Sequence, residues 1–509
     1  MAAISTAIGS ERLSRVSGYK INKGSFSNIT PNLPQIIAVF GEANTANQPG
    51  LDITKKEITS AQEAAELYGH GSPIHLQMRI LRPTNGDGVG GIPTVVFPQA
   101  APVGATATVH EWTITGTATQ NAVHTIVVAG RRSLDFSTYS FSVVLGDTPT
   151  IIAQKAADAV NGVLNSPVTA SNAAGVLTLT TKWAGLTSTE LNTKFDNDNS
   201  PSGINYAQTD ETLGSGIVDL APSLAQFGDT WYTIVANPYG STDSLTLTAF
   251  ENFNGVPSTT TPTGRYAATV FKPFVALFGS TLDDKDDLAA ITDAAARVEQ
   301  VTNVLCPAPK SEGFSFEASA NMIALLARIA QDNPELDVND KAYPDMPTPD
   351  DGLIGDMSDY NNRDFLIKKG CSTVLLENAA YKVQDLVTTY HPEGEVPLQF
   401  NYVRNLIVDW NIKDGYTILE IRNVRDHVLV EDGQVTDAAK SVKPKQWEAV
   451  LYGYFEDLAV AALIREPQFS KDSLEVEIDA TNPNRFNTFF RYKRTGIARI
   501  ESTDVEAGF

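Results

Sequence analysis

A glycine-rich segment, Gly86-x-Gly88-x-x-Gly91, has the spacing of a dinucleotide-binding loop. In such loops a helix begins directly after the glycines, so that its N-terminus faces the pyrophosphate of the ligand. Here Ile92-Pro93 and the strand-like Thr94–Phe97 follow the glycines instead. The sequence therefore predicts a flexible turn between domains at this point, and no nucleotide site.

The histidines and the paired aspartates do not form a metal-binding pattern. His70 and His75 are close in sequence, but no Cys, Asp or Glu lies at a spacing that would complete a site. His110-Glu111 has Ile114 where the second histidine of a zinc motif would lie. Asp196-x-Asp198-x-Ser200 lacks the glycine and the terminal glutamate of a calcium loop. We therefore expect neither a metal nor another cofactor.

Residues for nucleophilic catalysis are also missing from the sequence. The chain has 2 cysteines, Cys306 and Cys371, and 6 scattered histidines, which favour neither a disulfide framework nor a nucleophile paired with a base. Neither a phosphate loop with lysine nor a Gly-x-Ser-x-Gly turn is present. His391 is predicted to be a surface or interface residue, and the aspartates of Asp337–Asp364 to form a solvated loop with a possible role at an interface. These features predict a protein that is not an enzyme.

The composition is that of a folded, acidic protein with several domains. The chain has 509 residues, 42% hydrophobic and 19% charged, and a formal net charge of −22. This length predicts about two to four domains. The acidic excess argues against a nucleic-acid partner, since phosphate contacts need clustered Lys and Arg. The apolar runs are too short for membrane insertion, and Met1–Ser10 lacks the pattern of a signal peptide, so we expect assembly in the cytoplasm.

The C-terminal segment reverses the charge of the chain. Between Arg485 and Ile500 there is no acidic residue, and the basic side chains include Arg491, Lys493, Arg494 and Arg499. Alternation of Phe486, Thr488, Phe490 and Tyr492 with polar residues predicts a β-strand, and Ile497 and Ile500 begin a second extended piece. We interpret this strand as an arm that pairs with a neighbouring subunit. An edge strand paired within its own domain is an equal alternative.

The order of predicted elements indicates an α+β protein in which helices and strands are mixed. A helix is predicted at Ser60–Tyr68 and a linker at residues 84–104, and residues 192–228 are predicted to be loop. The predicted domains are an extended N-terminal arm (1–33, with Val16, Tyr19 and Ile21), an N-terminal part of the core (34–90), an inserted β-rich outer domain (105–191), an α/β middle domain (229–360), a C-terminal part of the core (361–480) and the strand arm (481–509). The composition of the inserted domain predicts a separable module.

Several segments in the same order resemble contractile tail sheath proteins of bacteriophages, on their Mu-like branch. The early helix and its turn, Ser60-Ala61-Gln62-Glu63-Ala64 and Leu67-Tyr68-Gly69-x-Gly71-Ser72, are similar to that family. The other similar segments are Gly116-Thr117-Ala118-Thr119, Ala129-Gly130-Arg131, Gly146-Asp147-Thr148, Pro167-Val168-Thr169-Ala170, Asn362-Arg363-Asp364-Phe365-Leu366, Gly370-Cys371-Ser372-Thr373, Thr388-Thr389-Tyr390 and Asn482-Pro483-Asn484-Arg485.

This resemblance implies a structural subunit that assembles with itself into stacked hexameric rings around a tail tube. Its core would be built from both ends of the chain, and its terminal arms would add strands to adjacent subunits. Contraction would drive the tube through the host envelope during genome delivery. The implied partners are other copies, the tail tube protein, and the baseplate and tail terminator proteins, within a virion. The basic residues of the C-terminal segment would contact acidic groups on a neighbour or on the tube.

Two alternatives remain from the sequence. The same subunit could belong to a phage-derived bacteriocin or to another contractile injection system. From a different class, the α/β portion could be a hydrolase or a nucleotide-binding enzyme with an added β-domain, although the missing motifs speak against it.

Overall fold

The computed structural model describes residues 32–133, 135–196, 202–258, 260–395 and 399–507. Its helices are α1 Ala61–Tyr68, α2 Pro73–Leu81, α3 Pro149–Asn161, α4 Ala221–Ala225, α5 Ser244–Asn254, α6 Lys285–Thr292, α7 Ser315–Asp332, α8 Tyr360–Lys368, α9 Val403–Asn423, α10 Pro444–Val460 and α11 Pro467–Asp472. Among these described helices, none is long and apolar enough to cross a membrane.

The strands of the described ranges are distributed among these helices, some of them in consecutive runs, which confirms the predicted α+β class. They are β1 Ile37–Glu42, β2 Lys56–Glu57, β3 Thr94–Gln99, β4 Val109–Thr115, β5 Ala122–Val128, β6 Thr138–Val143, β7 Val168–Ala173, β8 Val176–Thr181, β9 Thr193–Asp196, β10 Asn205–Thr212, β11 Ile234–Ala236, β12 Val275–Ser280, β13 Asn303–Pro307, β14 Thr373–Glu377, β15 Ala380–Asp385, β16 Val428–Leu429, β17 Ser441–Val442, β18 Ile464–Arg465, β19 Glu475–Ile478, β20 Phe486–Phe489 and β21 Lys493–Arg494.

A six-stranded sheet in the order β13-β12-β11-β1-β3-β2 forms the centre of the larger unit. All neighbours pair in parallel except β2, which is antiparallel to β3. Alternate residues of β1 belong to two hydrophobic cores on opposite faces of the sheet. Ile37 and Val39 lie in one core, and Ala38 and Phe40 lie in the other. Such a sheet is covered on both faces, so the parallel strands β1, β11, β12 and β13 are buried, whereas the edge strand β2 is exposed.

Local capping explains where α1 begins. The Ser60 side chain accepts a hydrogen bond from the Glu63 amide at 3.1 Å. Glu63 in turn accepts from the Thr59 amide at 3.0 Å, one residue before the expected partner. Gly69 ends the helix with a φ of 102°, a conformation that favours glycine. The predicted helix is therefore confirmed.

Two antiparallel sheets follow β3 in the chain, one of four strands (β10-β4-β8-β7) and one of three (β6-β5-β9). Helix α3 packs against both sheets, and Pro149 begins it, a position that suits proline. We call residues 105–216, which contain these sheets, the inserted segment. Its strand β10 lies within residues 192–228, so the loop prediction is wrong there. Because β10 is an edge strand exposed over nearly its whole length, it lacks the apolar alternation that marks a strand.

The inserted segment shares its hydrophobic core with residues outside it. Phe314 and Phe316, at the start of α7, lie in this core beside Trp183, with ring centroids 5.3 and 6.5 Å from the indole. Leu76 of α2 belongs to the same core. These contacts contradict the expectation of a separable module. The linker prediction is also wrong in part, since β3 is a buried strand of the central sheet.

The chain divides into two compact units, Gly415–Lys493 and a larger one that comprises Asn32–Asp414 and the stretch from Arg494. The smaller unit holds α10, α11 and the strand pairs β16–β17 and β19–β20. The finer domain boundaries given above stay predictions. Residues 1–31, including Val16, Tyr19 and Ile21, lie outside the described part of the chain.

Candidate assembly site at the C-terminal hairpin

The predicted C-terminal strand exists and pairs within its own chain. Strand β20 is antiparallel to β19, with Phe486 opposite Ile478 and Thr488 opposite Val476. The turn between them is held by Asp479, whose carboxylate accepts from the Thr481 hydroxyl at 2.7 Å and from the Thr481 amide at 2.9 Å. Both hydrogen bonds, above all the one from the Thr481 hydroxyl, hold the pKa of Asp479 well below its ordinary value. The turn therefore fixes the register of the hairpin.

One face of the hairpin packs on α10. The Trp447 indole donates to the Thr488 hydroxyl at 3.1 Å. Phe490 lies 5.1 Å from Phe455 and 5.8 Å from Tyr416, measured between ring centroids. Tyr492 continues this row at 6.3 Å from Phe490. The alternation seen in the sequence is thus the alternation of a strand that packs against a helix of its own unit.

The outer edges of this hairpin carry no further strand among the described residues, since β19 and β20 form a sheet of two strands. Phe489 is 50% exposed, and all four residues of β20 remain at least partly accessible. A two-stranded hairpin is marginally stable alone, and its open edges expose unpaired amide and carbonyl groups. This edge is therefore chemically suited to accept another strand.

The basic residues near the hairpin have partners in their own unit. The Lys493 ammonium donates to Glu466 at 2.5 Å and lies 4.5 Å from the centre of the Phe469 ring. The Arg491 amide donates to the Ser473 hydroxyl at 2.8 Å, and its guanidinium lies 5.5 Å from the Phe489 ring.

Beyond the hairpin, Arg494 and Arg499 fasten the final stretch to the larger unit. Arg494 donates to both oxygens of Asp409 at 2.6 Å. Arg499 donates to Asp385 at 2.7 Å and also to Asp337. The Asp337 side chain is 4% exposed, and burial raises the pKa of Asp385 although Arg499 acts in the opposite direction. These two arginines form the firmest charge contacts of the segment.

The apolar residues of the final stretch have different surroundings. Ile497 is half-buried, whereas Ile500 is 89% exposed and Val505 is 81% exposed. No strand or helix is assigned beyond Arg494 in the described residues. The structure therefore separates the predicted arm into strand β20 with Phe486 and Thr488, a packed continuation with Phe490 and Tyr492, and an extended end. Whether any of these residues contacts another subunit stays a prediction.

The residues first considered for chemistry have structural roles in the described chain. The segment with Gly86, Gly88 and Gly91 leads into β3 and not into a helix, as predicted. Burial lowers the pKa of His75 to about 3, and its Nδ1 accepts from the Gly71 amide at 2.9 Å. His391 is buried and bonded to Thr389 and Asp293, so its prediction as a surface residue is wrong. Within the described ranges, no group of three His, Cys, Asp or Glu residues could hold a metal ion.

A buried ion pair between the inserted segment and α7 has no signal in the sequence. Arg131 donates through Nε to Glu317 at 3.0 Å, and through Nη1 to Asp345 at 2.5 Å. Asp345 belongs to the acidic stretch that was predicted to be solvated. A glutamate in the first turn of a helix is an ordinary capping signal, so nothing in the sequence marks Glu317 as the partner of a residue so far away.

No protein-family model matches the chain. Among curated proteins, the chain is 24% identical over 459 residues to the Mu-like prophage FluMu tail sheath protein of Haemophilus influenzae, covering 88% of each chain. Two solved structures are also similar. The sheath tail protein of Desulfitobacterium hafniense is 11% identical at a TM-score of 0.43, covering 94% of this chain and 100% of that one.

The second is the helical sheath of the anti-feeding prophage in its contracted state, 8% identical at a TM-score of 0.39, covering 98% of this chain and 99% of that one. The sequence match to the prophage protein extends over most of both chains, and it therefore confirms the resemblance to tail sheath proteins of the Mu-like branch.

Proposed function

We propose that this chain is the structural subunit of a contractile tail sheath. Copies would form stacked hexameric rings around a tail tube, and contraction of the stack would drive the tube through the host envelope. The observation that carries the proposal is the match to the prophage tail sheath protein, which covers 88% of both chains. A match of that extent concerns the whole polypeptide and not one shared domain. The subunit would work in the virion after assembly in the host cytoplasm.

Strand addition at the C-terminal hairpin would join the copies. The open edges of β19 and β20 can accept a strand from a terminal arm of a neighbour, because main-chain bonds require no particular sequence. Such a link would persist while the larger units change their relative positions. Besides the C-terminal segment, the N-terminal arm with Val16, Tyr19 and Ile21 is a candidate to supply the added strand.

The charged contacts of the C-terminal segment would form between copies together with the added strand. Within one chain Arg494 pairs with Asp409, and Arg499 pairs with Asp337 and Asp385. In an assembly the same carboxylates of an adjacent copy could receive these arginines, since exchange of identical elements creates no new type of contact. Arg491 and Lys493, which have more exposed partners, would meet acidic groups on a neighbour or on the tube.

The chain would act mechanically, without catalysis. Burial raises the pKa of both cysteine thiols, which keeps them neutral and weakly nucleophilic. The partners would be further copies, the tail tube protein, and the baseplate and terminator proteins, with no nucleic acid and no direct membrane insertion. A sheath of a bacteriocin or of another injection system would have the same subunit chemistry.

Electron microscopy of the purified full-length chain tests the proposal. We expect rings, tubes or contracted polysheaths whose amount rises with protein concentration, with no hydrolysis of added nucleotide above background. Monomers at every concentration, together with failure to coat isolated tail tubes, would contradict a sheath. A requirement for nucleotide would contradict a purely mechanical role.

A further inference from the structure

Glu42 is a buried carboxyl group at the carboxyl end of β1, in the middle of the central sheet. The residue is 1% exposed. Its Oε1 accepts a hydrogen bond from the Thr187 hydroxyl at 3.0 Å, whereas Oε2 has no hydrogen-bond partner among the described residues. A carboxylate in such a place is costly when it is ionised and has no cation beside it.

The groups around Glu42 do not supply a cation. On β3 the residue in register is the neutral Gln99, and after β11 the titratable neighbour is the buried Tyr239 phenol. The inserted segment contributes Thr187 and the backbone at Gly185, where a Cβ atom would lie 3.1 Å from Oε1. Among the described Arg, Lys and His side chains, none forms an ion pair with Glu42. Burial raises the pKa of Glu42 to about 7, and the nearby polar groups of the backbone, Thr187 and Tyr239 act in the opposite direction.

Glu42 also contacts the junction between the sheet and the inserted segment. Thr187, which donates to Glu42, accepts a hydrogen bond from the Trp183 indole at 3.0 Å. Trp183 is fully buried and packs on Phe314 at the start of α7. Glu190, three residues after Thr187, accepts from the Ser315 amide at 2.8 Å. One row of contacts thus links β1, the inserted segment and α7.

We propose that Glu42 is a proton-controlled contact that holds the inserted segment tightly on the central sheet when the carboxyl is neutral and loosens it when the carboxyl is ionised. The pKa of Glu42 is raised from 4.5 to about 7 in the folded chain. The stabilisation is therefore complete below pH 4.5 and is lost as the pH rises toward 7. Each pH unit of this window is worth a factor of ten, so the equilibrium for opening the junction should change roughly a hundredfold.

Hydrogen exchange of the full-length chain, read on peptides that cover residues 182–191, measures this opening. After correction for intrinsic exchange rates, we expect the opening constant to be roughly a hundredfold larger at about pH 8 than at about pH 5. Glu42→Gln, which keeps the acceptor for Thr187, should reduce this dependence to the part that Glu190 contributes, because burial also raises the pKa of Glu190. Glu57→Gln, at an exposed position of β2, is the matched control and should retain the full dependence.

A second variant tests the same contact without altering Glu42. Thr187→Val removes a hydrogen bond that favours the ionised carboxylate, so the midpoint of the transition should move to higher pH. The infrared band of the protonated Glu42 carboxyl, which is the band that Glu42→Gln removes, should titrate with the same shifted midpoint. Identical pH profiles of the wild type and Glu42→Gln, or an unchanged midpoint in Thr187→Val, would overturn the proposal. The experiment uses the isolated chain and does not depend on the proposed function.

Discussion

Replacement of Arg131 by methionine should destabilise the attachment of the inserted segment more than any surface substitution. Arg131 lies in a turn of that segment, and its side chain is 6% exposed. Its partner Glu317 is 2% exposed and also accepts a hydrogen bond from the Phe314 amide at 3.2 Å. Methionine keeps much of the volume of the arginine side chain but removes the charge and all of its donors.

The expected size follows from the burial of the partner that remains. Loss of one member of a buried ion pair typically costs about 3–5 kcal/mol, because the other charge stays in place without compensation. The hydrogen bond from the Phe314 amide to Glu317 remains and reduces this cost. We therefore expect the free energy of unfolding to fall by about 3 kcal/mol. Burial already raises the pKa of Glu317, and loss of Arg131 would raise it further. The cost should therefore shrink at acidic pH, where Glu317 becomes protonated.

Urea unfolding followed by tryptophan fluorescence is a suitable assay, because Trp183 lies at this junction. Trp183→Phe identifies the transition in which its indole becomes exposed. Arg132→Met is the matched control: the Arg132 side chain is 57% exposed and its pair with Asp196 should contribute about 0–1 kcal/mol. The double variant Arg131→Met/Glu317→Gln should recover part of the loss, since no buried charge is left unpaired.

Equal stability of Arg131→Met and Arg132→Met would refute the reasoning. The reasoning would also be refuted if the double variant were less stable than Arg131→Met by as much as a second, independent substitution costs. Either result would mean that Glu317 is well solvated or is satisfied by α7 alone.

Three further predictions concern assembly and the two units. Excision of residues 105–191, with a short Gly-Ser closure, should give an insoluble product on expression, because it exposes Phe314 and Phe316; a soluble, folded remainder by circular dichroism would contradict the shared core. Assembly measured by sedimentation should weaken when Gln replaces Arg491, Lys493, Arg494 and Arg499 together. Wild-type assembly should depend on salt, because exposed charges are screened beyond about 10 Å at 0.1 M. Equal assembly of the wild type and this variant at every salt concentration would make the charge reversal incidental. Phe490→Ala should lower the unfolding free energy of the Gly415–Lys493 unit by about 1–3 kcal/mol, less than a fully buried Phe, whereas Phe489→Ala should change it little; equal effects would contradict the packing of Phe490 on α10.

The elements that the sequence predicted correctly are those with local signals. Ser60 and Gly69 mark the ends of α1, the helix predicted at Ser60–Tyr68. Each signal acts through bonds or packing within a few residues. The C-terminal strand was found in the same way, because alternation is a property of neighbouring residues.

The partners of these elements could not be predicted, since they depend on residues that are distant in sequence. The pairing of β10 with β4 leaves no trace in β10 itself, which is exposed on most of its surface. The contacts of Arg131 with Glu317 and of Arg499 with Asp337 join positions separated by 186 and 162 residues. The excess of basic residues near the C-terminus was visible in the sequence, but several of the carboxylates that receive them are single aspartates without a distinctive pattern.

The two interpretations of the C-terminal strand, an edge strand of its own domain or an arm for a neighbour, are compatible in one structure. Pairing with β19 uses one edge of β20, and Phe490, which directly follows β20, packs on α10. The other edge has no strand beside it in the described chain. A strand from an adjacent copy could therefore complete this sheet without displacing a native contact. Because the hairpin alone is marginally stable, we expect such a strand to stabilise both copies at once, which makes assembly cooperative from the first contact.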